Sequence, residues 1–61
     1  RYVITWVKEG KRFYIYVGFK HTAEVRSENY KKKKGFEQVE FFTKRQFVLR
    51  YGKEELHTPS C

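Results

Sequence analysis

Cysteine, proline and methionine are almost missing from this chain, which has one cysteine, one proline and no methionine in 61 residues. A single thiol, Cys61, cannot build a disulfide framework within the chain, so small stapled secreted scaffolds are excluded and a reducing, intracellular compartment is expected. Nor does the chain hold a zinc pattern: His21 and His57 with Cys61 match no ligand spacing for that metal. The proline, Pro59, falls in the stretch His57 to Cys61, read as a loose tail. No run of 18 apolar residues exists to span a membrane, and no signal-peptide pattern is read at the start. A chain that opens on Arg1 and lacks methionine is expected to be a processed product or a piece of something longer.

Chemistry-bearing arrangements are equally scarce. There is no Ser-His-Asp set and no glycine-rich phosphate loop. Glu54 and Glu55 are adjacent and cannot share a face as a catalytic carboxylate pair. No catalytic residue, metal site or cofactor is therefore assigned, and a non-enzyme is expected.

Acidic residues are few against basic ones, seven against fourteen, for a net charge of +7. A one-sided excess of this size suits nucleic acid, an acidic protein or an anionic membrane surface. The plain alternative is a solvated basic surface with no partner. The length allows one small domain, taken as residues 1–56, and a domain this small buries only about 60% of the surface its unfolded chain exposes. Aromatic residues make up 20% of the chain. With about 150–250 Å² per ring to bury, they exceed what so small an interior can hold, so some rings must face outward.

Residues 2–19 read as a hairpin. Tyr2 to Val7 and Arg12 to Phe19 are rich in β-branched and aromatic residues, and Glu9-Gly10 between them makes a two-residue turn. That turn sets Lys8 opposite Lys11, Trp6 opposite Phe13, Ile4 opposite Ile15 and Tyr2 opposite Val17, with all six apolar residues on one side. Val3, Thr5, Val7, Arg12, Tyr14 and Tyr16 fall on the other side, and a one-residue slip would mix the sets. His21 to Lys34 is open between a helix and a loop or polar-tipped strand. The helix would be capped by Thr22, carry its lysines at the negative C-terminal end and stop at Gly35. Gly35 to Phe42 reads as a third strand with Val39 and Phe41 on one side. Thr43-Lys44-Arg45-Gln46 then matches a capping box. It opens a helix from Lys44 to Tyr51, ended by Gly52, that presents Phe47, Val48 and Tyr51 to the sheet. A fourth strand competes, because Phe47, Leu49 and Tyr51 also alternate. The fold class expected is α+β, a three-stranded antiparallel sheet with one C-terminal helix; the alternative is a small all-β barrel of four to five strands.

Two constellations point to a partner. Arg12, Tyr14 and Tyr16 place rings and a guanidinium on one strand face, where tyrosines can stack on bases while cations neutralise phosphates. Tyr30 followed by Lys31, Lys32, Lys33 and Lys34 makes a sequence-independent phosphate clamp, or a solvated loop. Lys20, Lys44 and Arg45 extend the same chemistry, as would Arg50. On this reading Tyr14→Ala spares the fold and weakens binding, whereas Phe13→Ala costs stability.

Two resemblances enter on these residues. The hairpin, the basic stretch and Gly35-Phe36 leading to Phe42-Thr43-Lys44-Arg45-Gln46-Phe47 resemble the arm-type, AP2-like DNA-binding domain of tyrosine recombinases over about residues 2–56. That resemblance implies a sheet laid in the major groove and braced by a C-terminal helix, with Arg12, Tyr14, Tyr16 and the lysines near residue 31 on the DNA. The connection before the third strand is longer and richer in lysine here. Separately, Tyr2, Tyr16-Val17-Gly18 and Arg26 resemble parts of GIY-YIG nucleases. There the two tyrosines would help activate water and the arginine would stabilise phosphoryl charge. The first motif lacks its glycine in Arg1-Tyr2-Val3, and no metal-binding glutamate follows on a later helix. The expected function is a non-catalytic nucleic-acid-binding module, with DNA ahead of RNA. The alternatives are a protein-interaction module for an acidic partner and a nuclease fragment.

Overall fold

Alternating apolar residues on either side of a tight turn dictate the first unit. In the computed structural model, which describes residues 1–53, β1 (Tyr2–Lys8) and β2 (Lys11–Val17) pair antiparallel. Their register is the expected one, Tyr2 with Val17, Ile4 with Ile15, Trp6 with Phe13 and Lys8 with Lys11. Glu9 and Gly10 both have positive φ, 54° and 77°, as a twist-matched two-residue hairpin turn requires. Residues 54–61, with Glu54, Glu55, His57, Cys61 and the expected tail, lie outside the described residues.

A helix follows, α1 (Lys20–Lys31). Its start differs from the expected Thr22 cap: Phe19 is the N-cap, without a side-chain hydrogen bond, and Thr22 lies inside the first turn. The helix forms although its apolar pattern is thin, because the face it needs is small-residue rather than bulky. Ala23 and Ser27 are buried and Tyr30 is partly so, a spacing of four and three that makes one stripe. The Ser27 hydroxyl donates to the Glu24 carbonyl (2.9 Å), which removes the cost of burying it. Lys32 caps the C-terminus, its amide donating to the Asn29 carbonyl (3.2 Å) and the Lys33 amide to the Tyr30 carbonyl (3.0 Å). Gly35, at φ 89°, turns the chain back toward the sheet.

β3 (Glu37–Thr43) pairs antiparallel with β1 rather than β2, so the order is β2-β1-β3. The register shifts between Thr5 and Val7, where Gln38 takes a positive φ of 49°, as a bulged strand does. α2 (Lys44–Tyr51) begins directly after β3 with the capping box in place. The Thr43 hydroxyl accepts from the Gln46 amide (3.2 Å), and the Gln46 side chain accepts from the Thr43 amide (3.5 Å). The result is a small α+β fold, a three-stranded antiparallel sheet with two helices where the sequence led us to expect one.

The helices lie on opposite sides of the sheet. On one side Ile4, Trp6, Val17 and Val39 pack with Ala23 of α1, flanked by Tyr2, Phe13, Ile15, Tyr30, Phe36 and Phe41. On the other, Val3 and Thr5 are buried beneath Phe47 of α2. Since α2 hangs on one capped turn next to β3, Thr43→Ala should lower stability by about 1 kcal/mol. Urea denaturation would show this as a lower midpoint with an unchanged slope; an unchanged midpoint would mean the box contributes nothing.

Candidate nucleic-acid interface

Helix α2 decides which of the expected residues stay available. Phe47 and Tyr51, four apart, face the sheet, and Tyr14 packs on Phe47 with ring centroids 5.4 Å apart. The Arg12 guanidinium lies 4.3 Å over the Tyr51 ring. It also donates to the Thr5 hydroxyl (3.3 Å) and to the Gln38 side-chain carbonyl (3.2 Å), while Thr5 donates on to the Phe13 carbonyl (2.8 Å). The open Arg12–Tyr14–Tyr16 face expected from the strand pattern is therefore covered at Arg12 and Tyr14. The reason is visible in the same set of residues: Val3 and Thr5 share that side, and a helix with two inward rings covers them better than water does. Of the three α2 residues expected to face the sheet, Phe47 is buried and Tyr51 partly so, but Val48 is exposed.

Tyr30 is likewise engaged. It meets Trp6 edge-on at 4.9 Å and Phe36 at 5.3 Å. Of the lysines after it, Lys31 pairs with Glu28 (3.4 Å) in an exposed contact, Lys32 caps α1, and Lys33 sits over the Tyr30 and Phe36 rings at 5.2 and 5.7 Å. Lys34 is exposed. The run thus surrounds a ring cluster whose faces are already in use.

The opposite end of the sheet holds the accessible rings. Tyr16 is 50% exposed and Phe19 is 75% exposed, three residues apart at the exit of β2 and the start of α1. Lys20 follows Phe19, and Lys44 Nζ lies 6.0 Å over the Tyr16 ring, with exposed Arg45 beside it. The Lys44 amide donates to the Arg1 carbonyl (3.2 Å), which brings exposed Arg1 to the same end. Among the described residues the ion pair is Lys31 with Glu28, so these four cations have no carboxylate at pairing distance. Phe19 was missed from sequence. It was read as the end of the second strand, but β2 stops at Val17 and Phe19 is the N-cap of α1.

The nuclease-like residues fall apart in space. Strand alternation sets Tyr2 toward α1, where it meets Phe41 edge-on at 6.5 Å, and Tyr16 toward the other side. Arg26 is exposed on α1. Among the described residues no His, Cys, Asp and Glu side chains group to hold a metal ion, and no helix is long and apolar enough to cross a membrane. Comparison with protein-family models, characterised proteins and solved structures finds no match to this chain.

These contacts change the expected role of Tyr14, from an exposed ring to a packed one, and leave Tyr16 exposed. Tyr14→Ala should lose about 1–3 kcal/mol of stability, because it removes the ring beneath α2, whereas Tyr16→Ala should change stability by no more than about 0.5 kcal/mol. Urea midpoints of the two variants test this, and a larger loss for Tyr16 would contradict the placement.

Proposed function

We propose that this domain binds nucleic acid without catalysing a reaction, at the end of the sheet where Tyr16 and Phe19 stand exposed among Lys20, Lys44, Arg45 and Arg1. The observation that carries the reading is the exposure of two neighbouring rings, 50% and 75%, inside a cluster of cations that, among the described residues, have no carboxylate partner. An exposed ring loses free energy of burial and gains it back against a flat base, and stacking of this kind is worth about 1–3 kcal/mol per base. Cations alongside displace counterions from phosphates, which supplies affinity independent of sequence. The resemblance to recombinase arm domains puts DNA first. The mode differs from the one that resemblance implies, since helices cover both faces of the sheet. Arg12, Tyr14 and Tyr30 act in this reading as supports, and Lys31 to Lys34 as a basic flank at the other end.

Binding of labelled DNA and RNA oligonucleotides by anisotropy, repeated across salt, tests the proposal. Four phosphate contacts give a slope of log K on log salt of about −2.8 for a single strand and about −3.6 for a duplex, and Lys44→Ala should reduce its magnitude by about 1. Tyr16→Ala and Phe19→Ala should each weaken binding by about 1–3 kcal/mol. Affinity indifferent to salt, or untouched in the Tyr16→Ala/Phe19→Ala double variant, would overturn this site. Partners that survive nuclease treatment in a pull-down would favour an acidic protein instead.

A further inference from the structure

A row of rings crosses the sheet at its hairpin end and finishes at Phe36, where two lysines meet it. Phe13 and Phe36 flank Trp6 from the two sides of β1. Both stack on it, at 5.9 Å and 11° and at 5.4 Å and 15°. Besides Trp6, two ammonium groups lie over the Phe36 ring, Lys8 Nζ at 5.4 Å and Lys33 Nζ at 5.7 Å from its centroid. They arrive from different elements, Lys8 ending β1 and Lys33 following the C-cap of α1. Lys33 is further fixed by Tyr30, 5.2 Å away. Lys11 adds a third charge, because the hairpin register sets it directly opposite Lys8.

Each cation is attracted to the π face, but each repels the other, and like charges opposed across a ladder oppose pairing as well. Among the described residues none of the three has a carboxylate at pairing distance, the ion pair being Lys31 with Glu28. The arrangement is relieved by an anion that offers several oxygens to separate donors at once. A phosphate group has that form, a compact charge with at least two free oxygens, and lysine serves it as a point-charge donor.

We propose that Lys8 and Lys33 form a phosphate-binding site beside the Phe36 ring, with Lys11 as an outlying third cation. It lies one strand length, about 20 Å, from the Tyr16–Phe19 end. The phosphate belongs either to the nucleic-acid backbone, which rests on the function proposed above, or to a free phosphate or phosphomonoester, which does not.

NMR on the full chain distinguishes these sources. The lysine εCH₂ and Trp6 indole signals would be followed while inorganic phosphate replaces chloride at constant ionic strength, and again with a short oligonucleotide. The expected result is saturable movement at Lys8, Lys33 and Trp6. Lys8→Gln or Lys33→Gln, which keep an apolar stem over the ring, should weaken it at least fivefold, and Lys32→Gln by less than twofold. Saturation with the oligonucleotide assigns the backbone as source; saturation with inorganic phosphate alone assigns a free phosphate, and the nucleic-acid reading is then judged on the Tyr16 and Phe19 signals of the same titration. Movement that never saturates with either ligand and spreads evenly over all lysines would overturn the site.

Discussion

Everything in this fold hangs on β1 being buried from both sides. Val3, Ile4 and Thr5 are fully enclosed and Trp6 nearly so, so successive side chains of one strand face two different interiors. A strand of that kind needs a cover on each side and a partner on each edge, and 61 residues must supply all four. β2 and β3 take the edges, α1 and α2 the faces. That is why so many contacts run back to this strand.

That economy sorts the charge. With both faces of the sheet roofed, two groups of cations lie at its ends, where strands turn into helices or into each other. One end carries the exposed Tyr16 and Phe19 rings with Lys20, Lys44 and Arg45. The other carries Lys8, Lys11 and Lys33 around a ring row whose inner members are already packed. The ends therefore differ in kind. The first can offer flat surface and charge together, the second charge held in place by rings.

Legibility in the sequence followed the strength of local constraints. The hairpin register was readable because a two-residue turn and a period-two pattern agree, and any slip mixes buried with exposed residues. The capped helix was readable because Thr43 and Gln46 sit at the one spacing that satisfies both end groups. α1 was obscure because its buried stripe is Ala23, Ser27 and Tyr30, in which only one residue is strongly apolar. The pairing of β3 with β1 has no local signal at all, being a contact between segments some 35 residues apart in the chain. Arg12 and Tyr14 misled for a related reason. Their alternation marks a face correctly, but alternation does not say whether solvent or a helix lies over it, and that answer came from Phe47 and Tyr51 far along the chain.

The order of strands in the sheet also carries a consequence for the chain as it emerges during synthesis. β1 and β2 can close early through a tight local turn, yet the second edge of β1 waits for residues 37–43. Until then the most apolar strand of the protein presents unpaired amide and carbonyl groups along one side, the condition under which strands recruit other copies of themselves. Lysines at both ends of the hairpin turn, and four more in the segment that leads to β3, give such incomplete chains a shared positive charge and so a mutual repulsion. The basic residues thus guard the interval before the sheet is finished, whatever they grip afterwards.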